Sequence, residues 1–574
     1  MKIKNIIYKG SLMLASVAIL ASCSDQLDTL PDNRTTLDTP KKIAGLLVTA
    51  YPDRTPTLFN EWMSDNTDYM GPRNSLGDRG GDQYFFWQEH TEGGNDSPEQ
   101  IWMLYYEGVY KANEALGAIE ALGGANSESL RNSKGEALLL RAYNHFILAN
   151  EFCRPYNGKT STMDAGIYYA TELADLAQAI TATEKLSNRG NVADLYAKIA
   201  ADLEAGIPLI NDTYNVPKYH FNKKAAYAFA TRFYLYYEKW DKAKEYADRL
   251  LGSNPAASLR DYKALRAMPL SNSDQAVKIA EAYCSAAAEC NLLIQTSVSN
   301  AGMALAPWRS NKRYTLTNFL SKTEGVESNN IWGTAANLIW LPFISNQGES
   351  NFAIMMKLPR ELQILNLTTG SGYLRTLNVD FTLDEALLNR AEAEIMLGQN
   401  DAACADMTIW MQNYFNTSVT LTPASVTAYF NSVPYAYDDA EKLVPSFKKH
   451  ISPRFTIGAE GSEQESLLQC MLNFRRIETV HQGMRWFDIR RYNIEIPRRL
   501  IGANGKPLKN LDWLVKDDPR QTVQIPQSIR EAGVAGNPIK ALSSSAKLVD
   551  ISQYKKPELS LVNQRPLRPG VITF

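Results

Sequence analysis

A seven-residue stretch that occurs twice constrains the fold of this chain more than any other feature. Residues 136–142 read EALLLRA and residues 385–391 read EALLNRA, so six of the seven positions are identical. Ala, Leu, Glu and Arg all favour the helix, and stacked helix pairs bury a continuous core that no pair could bury alone. Both stretches are therefore predicted to be first helices of such pairs, with their Glu and Arg solvated or locally paired rather than catalytic.

Two longer segments support this interpretation. The segments KKAAYAFATRFYLYYEKWDKAKEYADRLL, from Lys223, and LDEALLNRAEAEIMLGQNDAACADMTIWMQN, from Leu383, each carry helical patterns on both sides of a turn. Aligning the two turns superimposes Asp241 on Asp401, as expected for repeats of the tetratricopeptide type. The predicted fold class is mostly α: tetratricopeptide-like helix pairs form a scaffold, and a loop-rich irregular ligand-binding region lies on one side.

One further helix is predicted from its apolar spacing. Val192, Leu195, Ile199, Leu203 and Ile207 recur at intervals of three and four residues, which places them on one helical face. Asn191 is suited to the N-cap, and Pro208 is expected to mark the end of the helix.

The beginning of the chain resembles a secretion signal. Three lysines precede a short apolar run from Ser11 to Leu20, which is too short to span a bilayer. Small residues directly before Cys23 are similar to a bacterial lipobox, which implies cleavage before Cys23 and lipid attachment to it. An ordinary signal peptide with an incidental cysteine is the alternative. Residues 1–22 are thus expected to be a signal peptide, and residues 23–40 a lipidated cysteine and polar tether.

Charge argues against one class of partner. The net charge of −2 becomes −5 when residues 1–22, with three lysines and no acid, are removed. A protein that binds nucleic acid needs a concentrated basic face. No run of the sequence supplies one, and no nucleic-acid partner is expected.

Cysteines and histidines give no sign of a metal, a cofactor or a catalytic centre. Apart from Cys23, no cysteines have CxxC spacing, and they are expected to be buried single thiols; they are Cys153, Cys284, Cys290, Cys404 and Cys470. The sequence holds no HExxH, GxSxG or P-loop motif. His481 invites pairing with Asp488, although a histidine satisfied locally in a turn is the alternative.

Five stretches in the same order resemble the SusD/RagB family of outer-membrane nutrient-binding lipoproteins. They begin at Trp102, Gly135, Glu385, Arg475 and Gln524, and read WMLYYEGVYKANEAL, GEALLLRAYNHFILANEF, EALLNRAEAEIMLG, RRIETVHQGMRWFDIRRYN and QIPQSIREAGVAGNP. The sequence departs from the family pattern at 481–484 and at 529–530, which are packing positions in the family. The lipobox at Cys23 is a sixth point of similarity.

This resemblance implies both a fold and a role. It implies one body over residues 41–574, with helical repeats near 100–155, 190–250, 383–412 and 465–493. It also implies a non-catalytic protein at the cell surface, anchored in the outer membrane by lipid. Such a protein passes oligosaccharides, or in some members peptides, to a TonB-dependent transporter of SusC type.

Two irregular segments near 60–98 and 253–372 carry the candidate ligand-binding residues. Aromatic rings offer flat platforms for the apolar face of a sugar, and Asn, Asp and Arg can satisfy its hydroxyls. The candidates from the first segment are Tyr69, Arg73, Asn74, Asp82, Tyr84 and Trp87. Those from the second are Trp308, Arg309, Tyr314, Asn330 and Trp332, of which Trp332 is the leading candidate.

Several alternatives stay open at this point. Trp102, Trp240, Trp410 and Trp486 are expected in the core, and Trp62 is ranked low as a ligand residue. YFFW at 84–87 fits a half-buried strand as well as a binding loop. A peptide-binding protein of the same architecture remains a second function. A helical glycoside hydrolase is a third, and it would need two carboxylates across a cleft.

Overall fold

Paired helices run through most of the chain, and short strands lie between them. The computed structural model describes residues 36–71, 79–172, 189–306, 312–347, 350–437 and 445–538. The helices are α1 Pro40–Val48, α2 Thr57–Met63, α3 Arg79–Phe85, α4 Pro98–Ala121, α5 Glu128–Phe152, α6 Val192–Gly206, α7 Lys223–Tyr236, α8 Trp240–Leu251, α9 Tyr262–Ala267, α10 Ser273–Tyr283, α11 Ala301–Ala304, α12 Asn318–Thr323, α13 Leu383–Met396, α14 Asn400–Tyr414, α15 Pro423–Ser432, α16 Glu463–Glu478, α17 Arg485–Tyr492 and α18 Gln527–Glu531. The strands are β1 Asp68–Tyr69, β2 Asn291–Ser297, β3 Tyr314–Thr315, β4 Phe343–Gln347, β5 Ser350–Ile354, β6 Arg360–Asn366, β7 Ser371–Thr382, β8 Ile496–Ile501 and β9 Pro507–Leu514. The mostly helical fold class is confirmed.

Helix α6 forms as its sequence predicts. The Asn191 side chain accepts a hydrogen bond from the backbone N–H of Asp194, at 2.8 Å, and so caps the first turn. The helix ends at Gly206, where it crosses α5 at Gly135. A Cβ atom on Gly135 would lie 2.9 Å from the Gly206 carbonyl oxygen. Glycine is therefore needed at this crossing because the two backbones approach each other so closely.

The repeated stretch occupies corresponding positions on α5 and α13, and its charged residues are paired inside the protein. Arg141 on α5 forms an ion pair with Asp202, at 2.6 Å, and Arg390 on α13 pairs with Asp406, at 2.7 Å. Glu385 binds the guanidinium of Arg232, at 2.5 Å. The repeat is architectural: its leucines and alanines fill the core, and its charges tie adjacent helices together.

Three small sheets join the irregular segments to the helices. One has the strand order β3-β1-β8-β9, the second β2-β7-β6, and the third β4-β5. In the first sheet β1 pairs antiparallel with β3, with Asp68 opposite Thr315 and Tyr69 opposite Tyr314. This pairing joins the two segments that the sequence identified as candidates for ligand binding.

The predicted core positions of four tryptophans and five cysteines are confirmed. Trp102, Trp410 and Trp486 are buried, and Trp240 packs partly buried against the same core. The five cysteines of the described ranges are free and buried. YFFW is not a strand: helix α3 includes Tyr84 and Phe85, and all four side chains are buried.

Buried charges hold the first sheet in place. Glu324, which follows α12, lies 2.5 Å from Arg499 of β8, 2.6 Å from Lys449 and 3.3 Å from Arg476 of α16. Arg499 also binds Asp68 of β1, at 2.7 Å. This group, called the Glu324 cluster below, connects strands β1 and β8 to helix α16.

Among the helices of the described ranges, none combines the length and the apolar character that crossing a membrane requires.

Candidate ligand-binding cleft

The pairing of β1 with β3 brings both candidate segments to one open cavity of about 320 Å³. We call it the first cleft. Its walls are formed by α2, α3, the loop that follows α3, and the residues around α11 and β3. The described residues that line it are Leu58, Trp62, Gly80, Gly81, Tyr84, His90, Glu92, Gly93, Gly94, Asn95, Asp96, Ser97, Asn300, Met303, Ala304, Lys312 and Tyr314.

Three aromatic rings line the first cleft together. The Trp62 ring centroid lies 5.0 Å from that of Tyr314 and 6.5 Å from that of Tyr84. Tyr84 stacks on His90, with ring centroids 4.2 Å apart and the planes almost parallel. Trp62, on α2, has no hydrogen-bond partner for its buried indole N–H. This aromatic group gives the cleft an apolar wall, which suits a ligand that has an apolar face.

Hydrogen bonds and charge fix the position of Tyr314. Its hydroxyl donates to the Asp82 carboxylate, which also pairs with Arg313 at 3.2 Å. Burial and the adjacent Asp82 charge raise the pKa of Tyr314 well above its usual range. Tyr314 is therefore protonated at any ordinary pH, and its ring, which is only 1% exposed, packs against Trp62 from within the core.

The polar side of the first cleft comes from the loop after α3 and from the start of α11. The Asp96 carboxylate accepts hydrogen bonds from the Ser299 hydroxyl, at 2.5 Å, and from the Asn300 backbone N–H, at 2.9 Å. Burial raises the pKa of Asp96. These two bonds join the two walls and leave the Asn95 and Asn300 side chains exposed. The Asn95 amide oxygen also accepts a hydrogen bond from Arg54, at 3.3 Å, and the amide N–H groups of both residues can donate to a ligand.

The predicted residues Tyr84 and Tyr314 line this cleft, and Asp82 supports Tyr314 from behind. Their contact with a ligand remains a prediction. Tyr69 is buried, 2% exposed, and stacks on Tyr314 with the centroids 5.8 Å apart. It therefore supports the aromatic surface from within the core.

Trp87 faces away from the first cleft. Its indole N–H donates to the Met63 carbonyl oxygen at 2.8 Å, and the Arg498 guanidinium lies 3.9 Å from the ring centroid. Its φ of 51° lies in the left-handed region, which is rare for a bulky side chain. These contacts hold the ring in the wall between α2 and β8.

Trp332 and Asn330 belong to the core, so the expectation that Trp332 provides a stacking platform needs correction. Trp332 is 1% exposed and stacks on Phe415, with centroids 4.0 Å apart and an interplanar angle of 10°. Asn330 is also buried, and its side-chain amide donates to Asn473 at 2.8 Å. Phe415 occupies the face that a sugar ring would need.

Five further predicted residues lie outside the described residues. They are Cys23, Arg73, Asn74, Trp308 and Arg309.

His481 does not pair with Asp488. It is buried against Glu61, with Nδ1 3.3 Å from a carboxylate oxygen, whereas Asp488 binds Arg475 at 2.6 Å. Within the described residues no three His, Cys, Asp or Glu side chains come together as metal ligands.

Trp62, Asn95 and Asn300 line the first cleft, although their local sequence does not single them out. Trp62 lies in NEWMSD, a stretch that looks purely structural, yet one side of its ring lines the cleft. Asn95 follows two glycines and precedes a helix, and this composition is typical of exposed loops with a function. That pattern was the available signal, but it does not distinguish a binding loop from an ordinary connection.

Two family models match the sequence. A SusD-like model, described as starch-binding and associating with the outer membrane, matches residues 25–235. The SusD family model matches residues 381–526. Together the two matches cover more than half of the chain. No curated protein matches it.

Solved structures share the fold. A crystal structure described as a candidate sugar-binding protein from Bacteroides vulgatus has a TM-score of 0.62 at 17% identity and covers 88% of this chain and 99% of its own. A SusD superfamily protein from Bacteroides thetaiotaomicron has a TM-score of 0.56 at 16% identity, with 88% and 100% covered. A SusD-like protein described as laminarin-binding has a TM-score of 0.50 at 15% identity, with 88% and 99% covered. The sequence matches and the shared fold agree: the chain belongs to the SusD/RagB family.

Proposed function

We propose that this protein binds an oligosaccharide in the first cleft at the cell surface. The observation that carries the proposal is the combination of the Trp62 and Tyr84 rings, supported by the buried Tyr314, on one side with the exposed amides of Asn95 and Asn300 on the other. A sugar ring presents an apolar C–H face and a rim of hydroxyls. The aromatic side of the cleft suits the apolar face, and the amides suit the hydroxyls. The starch-binding description of the family and the laminarin-binding relative support the same class of ligand.

The cleft supplies binding groups and positioned hydrogen-bond partners rather than acid–base chemistry. Of the two carboxylates among its described lining, Asp96 has one oxygen occupied by Ser299 and the other by Asn300. A glycoside hydrolase needs two carboxylates that are free to act on the scissile bond. The arrangement therefore favours capture of the glycan over cleavage.

We further propose that a lipid on Cys23 anchors the protein to the outer membrane, and that it delivers the glycan to a TonB-dependent transporter of SusC type for uptake. The signal-like residues 1–22, the lipobox and the family's association with the outer membrane support this role. Copurification of such a transporter with the protein from solubilised outer membranes tests the partner, and a complete preparation without one would argue against it.

The test of glycan binding is a panel of polysaccharides, with laminarin and starch included, followed by calorimetry on any that bind. We expect at least one neutral glycan class to bind to the chain that begins at Ser24. If the protein binds peptides from a digest and none of the glycans in the panel, the proposal is contradicted and the peptide-binding function is favoured instead.

Asn300→Ala is expected to weaken glycan binding about three- to tenfold, because one hydrogen bond contributes about 0.5–1.5 kcal/mol net. The exposed side chain of Asn300 lines the first cleft, and its backbone N–H, which the substitution keeps, still donates to Asp96 when the side-chain contact with that carboxylate is lost. Calorimetry on the purified variant measures the change. Asn329→Ala, at an exposed position outside the cleft, is the matched control and should bind as the wild type does. Equal affinities for the two variants would remove Asn300 from the site.

A further inference from the structure

A second and larger cavity, of about 810 Å³, lies on the other side of the loop that follows α3. We call it the second cleft. The residues around Pro519–Ile525, helix α18 and the start of α4 form its walls, and Phe86 and Trp87 lie at its base. Its volume is within the range of cavities that enclose most of a medium-sized ligand.

The two clefts share a wall. Tyr84, His90, Glu92, Gly93 and Ser97 line both of them. The first cleft has room for only a short part of a polymer, and the second cleft lies next to it across this loop. A chain that extends beyond the first cleft would reach the second by crossing the shared wall.

The lining of the second cleft is acidic. Five carboxylates and one guanidinium line it, and they are Glu89, Glu92, Glu99, Asp512, Glu531 and Arg520. Arg520 is engaged by Asp512, at 2.7 Å, and by Asp518, at 2.8 Å. Glu89 is paired with Arg530 of α18, which leaves Glu92, Glu99 and Glu531 as the source of the negative charge. The remaining negative charge favours a ligand without acidic groups, because like charges held close together repel one another.

Polar groups that can bind hydroxyls meet at the edge of this cleft. The Ser528 hydroxyl on α18 donates to Glu99 on α4 at 2.5 Å, and the Gln527 amide donates to Glu531 at 2.8 Å. These four side chains come from two opposite walls. Carboxylates and amides in this arrangement can exchange their mutual hydrogen bonds for bonds to sugar hydroxyls.

We propose that the second cleft is an extended binding site for the far part of a neutral oligosaccharide whose near part lies in the first cleft. The proposal rests on the proposed function and adds two properties to it. The protein prefers long chains over short ones, and it discriminates against glycans that carry carboxylates.

The chain-length preference is tested by calorimetry with a disaccharide and a hexasaccharide prepared from whichever neutral polysaccharide of the panel binds. The wild-type protein should bind the hexasaccharide about tenfold more tightly than the disaccharide, as expected from two or three added hydrogen bonds. Ser528→Trp places a large ring at the edge of the second cleft only. This variant should bind the disaccharide like the wild type and lose the advantage of the hexasaccharide.

Met103→Trp is the matched control, since Met103 lies exposed on α4 and lines neither cleft. Its binding of both oligosaccharides should equal that of the wild type. If Ser528→Trp keeps the full hexasaccharide advantage, or if the wild type has none, the second cleft is not part of the binding site. Glycan binding in the first cleft would survive that result, whereas failure of both oligosaccharides to bind would overturn the proposed function itself.

The charge preference is tested with the same hexasaccharide before and after oxidation of its primary hydroxyls to carboxylates. We expect the oxidised form to bind the wild type at least about tenfold more weakly and to recover part of that loss in Glu531→Lys. Equal binding of the two forms by the wild type would contradict an acidic extended site.

Discussion

Glu324→Ala is expected to lower the free energy of unfolding by about 3–5 kcal/mol, the usual consequence of removing one partner from a buried ion pair. Glu324 is fully buried and serves as the counter-ion of Lys449, Arg476 and Arg499. Burial by itself would raise the pKa of Glu324, but the three surrounding cations outweigh burial and hold that pKa well below its usual range. The carboxylate is therefore charged in the folded protein at any ordinary pH.

Removal of the Glu324 carboxylate affects its three cationic partners differently. Burial already lowers the pKa of Lys449 to about 8, so this side chain can lose its proton once Glu324 is gone. The two guanidiniums cannot, because arginine stays protonated in proteins. Arg499 keeps Asp68, and Arg476 keeps a contact with Asp65 at 3.5 Å. The uncompensated charge is then close to the β1–β3 pair that supports the first cleft.

Chemical denaturation of the chain that begins at Ser24 measures how much the free energy of unfolding falls in Glu324→Ala. Glu245→Ala is the control, because Glu245 forms an exposed ion pair with Arg249 at 2.5 Å on α8, and such pairs contribute about 0.5 kcal/mol or less. A Glu324→Ala variant as stable as the Glu245→Ala variant would show that the Glu324 cluster does not stabilise the fold.

Gly93→Trp is expected to reduce glycan affinity about a hundredfold or more, since it fills the wall that the two clefts share. A Cβ atom on Gly93 would have no other atom within 4 Å, so the substitution fits the folded backbone. The indole at this exposed position lies beside both cleft openings. Because the ring would exclude the ligand from both sides of the loop, binding should fall more than in any single-contact variant such as Asn300→Ala.

Gly117→Trp provides the control for this change. Gly117 is exposed on α4, has the same open space around its Cβ position and lines neither cleft. Calorimetry and thermal unfolding of the two variants separate binding from stability. Unimpaired glycan binding by a folded Gly93→Trp protein would exclude both clefts as the binding site.

The helical scaffold could be predicted from the sequence because its signals are local. Apolar spacing and the Asn191 cap both lie within a few residues of the helix that they determine. The prediction that the thiols are buried needed only the absence of paired spacing. These inferences do not depend on which distant segment lies next to which.

The binding site could be predicted only in part, because aromatic loops look alike whether they face solvent or the core. Trp332 is flanked by Asn and Gly, as expected of a binding loop, but it is covered by Phe415 from the end of α14. Trp62 lies in a stretch typical of a structural segment, and its place in the wall of the first cleft depends on packing with Tyr314, a residue distant in the sequence. In both cases a contact with a residue distant in the sequence determines how exposed the tryptophan is. No local sequence pattern indicates that contact.

The acidic character of the second cleft could not be predicted from the sequence either. Its carboxylates come from the loop after α3, the start of α4, strand β9 and helix α18. Each is an ordinary charged surface residue in its own segment. Only the packing of these four elements brings them around one cavity.

A crystal structure of the protein with a bound oligosaccharide from the polysaccharide panel tests the central claim most directly. We expect a sugar ring against Trp62 and Tyr84, with Asn95 or Asn300 hydrogen-bonded to its hydroxyls, and with longer chains continuing past Gly93. A glycan bound elsewhere on the protein, with the first cleft empty, would contradict this account.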